Sequence, residues 1–155
     1  MPQTSHTASF ERVVNAATLF DPSASSPPKQ KKGLEGILVL LVEDDDLVRE
    51  ILSRVLADRG CTVIAAGSGR EALERATTCS GSLDLLLCDV VLPDMRAVDV
   101  CHRVTAAHDG VRALFMSGYG DEVLTVHGIV PGIRVLPKPF DSAELIQAVQ
   151  MTLEE

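Results

Sequence analysis

A run of acids, Glu43-Asp44-Asp45-Asp46, stands directly after the six apolar residues Ile37-Leu38-Val39-Leu40-Leu41-Val42. Carboxylates crowded in this way repel one another, so a cation among them is the chemistry the run points to. A second largely apolar run, Leu83-Asp84-Leu85-Leu86-Leu87-Cys88, ends on another acid, Asp89. Carboxylate oxygens in that number suit a hard divalent ion, and Mg2+ in particular is held by one or two carboxylates together with water and phosphate oxygens. Two further residues fit the phosphate: Ser117, after Ala113-Leu114-Phe115-Met116, and Lys138, after Val135-Leu136-Pro137. A hydroxyl and an ammonium beside metal-bound acids are what a phosphoryl group requires. Each alone has a plainer use, Ser117 as a turn cap and Lys138 as a solvated surface charge. Part of the acid run does too, because Asp45 or Asp46 can cap the helix that follows. Capping leaves Glu43 and Asp44 for the ion.

These residues converge only if their strands lie side by side and end at one edge. Six consecutive apolar residues with no polar alternation read as a strand buried on both faces, as in a parallel sheet covered by helices. In an open sheet of that kind ligands bind beyond the carboxyl ends of the strands. From residue 37 onward strand and helix signals alternate through five repeats of one unit. The pattern predicts strands over 37–42, 62–66, 83–89, 112–116 and 133–136, and helices over 46–59, 68–78, 98–107, 120–127 and 142–153. The first helix carries Leu47, Ile51 and Val55, joined by Leu52 and Leu56, on an apolar stripe, and Gly60 stops it. Ser68 with Glu71, and Asp141 with Glu144, have the spacing of capping boxes. The fourth helix has the poorest propensity, because Gly118, Gly120 and Gly128 flank or enter it.

The chain has 155 residues, 46% of them hydrophobic, and a formal net charge of -8. That length buries one ordinary core. The acidic balance argues against nucleic acid as a partner, since the one basic cluster is Lys29-Gln30-Lys31-Lys32 and phosphate backbones demand Lys and Arg. No apolar run reaches the roughly 18 residues of a membrane span, and the N-terminus lacks a basic region followed by an apolar core. A soluble, cytoplasmic protein is expected. Cys61, Cys79, Cys88 and Cys101 show no metal-ligand spacing and read as ordinary thiols, and His6, His102, His108 and His127 are scattered. Residues 1–36 have the composition of a tail and linker, with Pro22-Ser23-Ala24-Ser25-Ser26-Pro27-Pro28 before the basic stretch. Within them Phe10, Val13, Val14, Ala17 and Phe20 could form a short amphipathic helix. The folded domain is expected over 37–153.

Four motifs, in this order, resemble the CheY-like receiver domain of two-component response regulators. They are Val42-Glu43-Asp44-Asp45-Asp46-Leu47-Val48-Arg49, Leu87-Cys88-Asp89-Val90-Val91-Leu92-Pro93-Asp94-Met95, Met116-Ser117-Gly118-Tyr119 and Lys138-Pro139-Phe140. The resemblance implies a flavodoxin-like, doubly wound α/β fold: a five-stranded parallel sheet in the order 2-1-3-4-5 with five helices. It implies that Asp89 is the phosphoacceptor, taking a phosphoryl group from a histidine kinase or a histidine phosphotransfer protein. Mg2+ would be held by Asp44, Asp89 and the backbone carbonyl of Val91, with Glu43 near it or acting through water. Lys138 would contact the phosphoryl oxygens, Ser117 would be the switch hydroxyl, and the Lys138-Pro139 peptide would be cis. Such a protein is not an enzyme in the usual sense. It phosphorylates itself from small phosphodonors, dephosphorylates itself, and signals to a downstream protein by a conformational switch, which a phosphorylation-dependent homodimer would also fit.

Some positions depart from the family's pattern. Val135 stands where an aromatic residue often couples to the switch, and Asp46 where Pro is common. Met95 is followed by Arg96-Ala97 rather than Asp-Gly; were φ positive there, Ala97 would cost about 1 kcal/mol. Three other readings exist. A haloacid-dehalogenase-type phosphatase would need a second acid two residues after its nucleophile, where this chain has Val91. A degenerate receiver acting only as a binding module is opposed by the intact Glu43, Asp44, Asp89, Ser117 and Lys138. The chain could also be a receiver fragment of a hybrid histidine kinase. Its length leaves no room for an output domain, so a stand-alone receiver or a phosphorelay intermediate is expected.

Overall fold

The computed structural model describes residues 33–155. The expected tail, linker and amphipathic helix around Phe10 to Phe20 lie outside the described residues, apart from residues 33–36. Leu34 of that short stretch is buried in the core, so the core reaches slightly ahead of the start expected at residue 37.

Five strands and five helices alternate along the described residues: β1 (Leu38–Val42), α1 (Asp46–Asp58), β2 (Thr62–Ala66), α2 (Gly69–Thr78), β3 (Leu85–Asp89), α3 (Ala97–Ala107), β4 (Arg112–Ser117), α4 (Asp121–Val126), β5 (Val135–Pro137) and α5 (Ser142–Leu153). The strands form one parallel sheet in the order β2-β1-β3-β4-β5, the doubly wound arrangement expected. Alternate side chains of the central strands feed two separate cores. Val39, Leu41, Leu85, Leu87, Leu114 and Met116 join Leu52, Leu56, Leu145 and Val149 on one face. Leu40, Val42, Leu86, Cys88 and Phe115 join Ala72, Ala76, Val100 and Val104 on the other. Because both faces are buried, the strands show no polar alternation in sequence.

The structure shifts several details. In α1 the buried residues are Val48, Leu52, Val55 and Leu56, whereas Leu47 is 53% exposed. Asp45 fixes the helix start by accepting from the N–H groups of Leu47 and Val48, both at 3.0 Å. The stripe at Val48 then faces the sheet, and Leu47 lies about 100° away from it. Of the two capping boxes, Asp141–Glu144 is complete. At Ser68 one half forms: Ser68 Oγ accepts from Glu71 N–H at 3.1 Å, while Glu71 Oε1 accepts from Gly67 N–H one residue upstream of the cap. Strand β3 begins at Leu85, and Asp84 just before it pairs through its backbone with Leu38 O and Arg112 N–H while its carboxylate accepts the N–H of Leu38 at 2.8 Å. Ile133 belongs to a turn closed by its N–H on Val130 O, which delays β5 to Val135. Helix α4 is six residues long, in keeping with its glycines. Ala97 opens α3 without strain, since every positive φ among the described residues is at a glycine. Among the described residues no helix is long and apolar enough to cross a membrane.

Candidate functional site

Strand register brings the chemistry to one edge. Val42 pairs with Cys88, so the next residues, Glu43 and Asp89, leave β1 and β3 together. Asp89 pairs with Met116, one residue before Ser117, and Ser117 pairs with Pro137, one residue before Lys138. The same ladder continues through Lys138 N–H, which donates to Ser117 O at 2.7 Å. The Lys138-Pro139 peptide is cis, and Phe140 just beyond it is buried.

The Lys138 ammonium donates to Asp89 Oδ2 at 2.7 Å and to Glu43 Oε1 at 3.4 Å. Asp89 Oδ1 accepts the N–H of Val91 at 3.0 Å, which sets the carboxylate's orientation. Glu43, Asp44 and Asp89 each offer an oxygen, and these atoms lie within 4.8 Å of one another. Glu43 is buried and Asp44 exposed, so the cluster opens to solvent on the Asp44 side. Burial first, then the neighbouring Asp89, push the Glu43 carboxyl up to about 8 against the opposing charge of Lys138. Burial draws the Lys138 ammonium down, but the facing Asp89 and Glu43 outweigh it and hold the group above its ordinary value.

Glu43 Oε2 is buried without a hydrogen-bond partner. An orphaned buried carboxylate oxygen beside two more carboxylates is a donor set suited to a hard divalent cation, and the residues fit Mg2+. Among the described residues the cysteines and histidines form no comparable cluster, and all four thiols are free.

Ser117 is buried, and its Oγ accepts the N–H of Tyr119 at 3.0 Å. The hydroxyl is therefore tied into its own turn and makes no hydrogen bond to Asp89 or Lys138. Two positioning residues escaped the sequence reading. Arg49 donates to Glu43 O at 2.8 Å and to Asp46 Oδ1 at 2.6 Å, clasping the acid run from α1. Its i, i+3 spacing from Asp46 is a signal that could have found it. Asp94 accepts backbone N–H groups of α2 from 25 and 24 residues away, a contact with no local signature.

The family model of the response regulator receiver domain matches residues 39–150. The chain belongs to this family. The receiver is 34% identical over 140 residues to the sensor kinase CckA of Brucella abortus, a match covering 86% of this chain and 15% of that protein. A solved receiver domain from the hybrid histidine kinase CckA is 33% identical, with a TM-score of 0.63, over 75% of this chain and 98% of the other. The chemotaxis protein CheY4 of Vibrio cholerae is 27% identical, with a TM-score of 0.65, over the same shares. The chain spans about half or less of the curated relatives it matches, such as 51% of Nodulation protein W of Bradyrhizobium diazoefficiens.

Proposed function

We propose that this receiver accepts a phosphoryl group on Asp89 from a phosphohistidine, in a phosphorelay supplied by a histidine kinase or a histidine phosphotransfer protein. The observation that carries the reading is the contact of Asp89 with Lys138 inside a cluster of three carboxylates. An Asp89 oxygen attacks phosphorus; the P–O bond forms as the P–N bond breaks, and the imidazole leaves with the electron pair and takes a proton from solvent. Phosphoryl transfer needs little covalent assistance, so positioning and charge neutralisation supply most of the catalysis.

Glu43, Asp44, Asp89 and the Val91 carbonyl would hold Mg2+, which when bound neutralises charge on the acids and on the phosphoryl oxygens. Lys138, now paired with Asp89, turns its ammonium to a phosphoryl oxygen after transfer. Ser117 gives up its turn contact to Tyr119 and donates its hydroxyl proton to another, pulling the segment before α4 with it. With Val135 in β5, that movement proceeds without a rotating aromatic side chain. The likeness to CckA supports a phosphorelay setting in particular.

Incubation with a small acyl phosphate and Mg2+ tests the reading. The chain should gain one phosphoryl group, and Lys138→Ala should slow the gain by about two orders of magnitude. A folded chain that takes no label would sink it.

A further inference from the structure

The loop between β3 and α3, residues 90–96, carries Val91 past Asp89 and lacks regular backbone pairing. Its ends are tied by the backbone: Val90 N–H donates to Met116 O, and Arg96 O accepts from Asp99 and Val100. Between those ends, among the described residues, Asp94 supplies the hydrogen bonds that fasten residues 92–95 to another element. Its Oδ1 accepts Gly69 N–H and its Oδ2 accepts Arg70 N–H, both at 2.8 Å. These are orphan donors at the start of α2, which favours a carboxylate there, and Ser68 takes the Glu71 N–H beside them. The Arg70 N–H, opposed by a little burial and aided by the Gly69 N–H, holds the Asp94 carboxyl below its ordinary value. Met95 completes the contact. A Cβ at Gly69 would lie 2.2 Å from Met95 Cγ and 2.6 Å from its Sδ, so the missing side chain is what lets Met95 lie on the start of α2.

We infer that Asp94, with Met95 seated on Gly69, is a positioning residue for the acidic site, fastening the 90–96 loop to α2 and so holding Val91 against Asp89. It touches no reacting group. The inference rests on Asp89 as phosphoacceptor. Asp94 lies three positions after Val91, whose N–H at 3.0 Å orients the Asp89 carboxylate, and small misplacements of a reacting group carry large rate penalties. The geometry explains why a carboxylate serves here: two N–H groups face it, and a planar carboxylate accepts both at once.

The test compares wild type, Asp94→Ala, Asp94→Asn and Gly69→Ala. It reads the initial rate of labelling from an acyl phosphate at saturating Mg2+, and amide hydrogen exchange across residues 90–96, both well below each variant's unfolding midpoint. Asp94→Ala should label about tenfold more slowly and exchange the Val91 amide faster. Asp94→Asn, which keeps one acceptor oxygen but turns an amide NH2 toward the other N–H, should fall between wild type and Asp94→Ala, and Gly69→Ala should slow labelling by displacing Met95. A merely structural role would lower the unfolding midpoint and leave rate and exchange unmoved. Wild-type labelling with an unchanged Asp94→Ala rate and unchanged exchange overturns the inference. If wild type takes no label, the phosphoacceptor reading fails instead, and exchange alone decides whether Asp94 holds the loop.

Discussion

The acids after β1 divide their labour by burial. Asp45 caps α1, Asp46 pairs with Arg49, Asp44 stands at the open side, and Glu43 is the buried member facing Lys138. That burial has a pH signature. The Glu43 carboxyl sits at about 8 in the folded chain against an ordinary 4.5. Between those values the folded state binds a proton that the unfolded state releases. Metal-free stability should therefore fall as pH rises from about 4.5 through about 8. Mg2+ requires the ionised carboxylate, so its affinity should climb over the upper part of that window. Calorimetric titration at a series of pH values checks this, and Glu43→Gln should flatten the dependence. At this scale Glu43, Asp44, Asp89 and Lys138 were legible because each ends an apolar run. Arg49 and Asp94 were not, because Arg49 acts on the backbone carbonyl of Glu43 and Asp94 on the N–H groups that open α2, rather than through a motif of their own.

Elements deliver these residues only if their ends are pinned. Asp45→Ala removes two hydrogen bonds to the first turn of α1, and chemical denaturation should show a loss of about 1 kcal/mol. Phe140, 1% exposed, anchors the chain immediately after Lys138-Pro139 in the core. Phe140→Ala should cost about 3–5 kcal/mol and slow labelling as well, because Lys138 loses its fixed approach to Asp89. Denaturant midpoints and labelling rates measured on one preparation check both. Strand and helix order was readable from the alternation of apolar runs and caps. Boundaries and helix phase were less so: the stripe of α1 turns on which residue the Asp45 carboxylate caps, and the start of β5 on a turn closed by Ile133. The absent glycine at Ala97 proved harmless, since α3 begins there with ordinary backbone angles.

At the scale of the molecule, parallel pairing in the order β2-β1-β3-β4-β5 sets the ends of β1, β3, β4 and β5 along one edge, which turns residues up to 95 positions apart, Glu43 and Lys138, into neighbours. Apolar runs that carry no alternation are what this topology demands of its strands, so the fold and the site were legible together. The chain's relation to longer relatives is a separate matter, since CckA carries its matching segment within a much larger protein. The central claim is that the edge works as a phosphoacceptor site with Asp89 as its reactive acid. Its most direct test is to treat the chain with an acyl phosphate and Mg2+, trap the product by borohydride reduction, and locate the modified residue by tandem mass spectrometry. The account predicts modification at Asp89 alone, lost in Asp89→Asn while the fold persists; modification at another acid, or an undiminished label in Asp89→Asn, would contradict it.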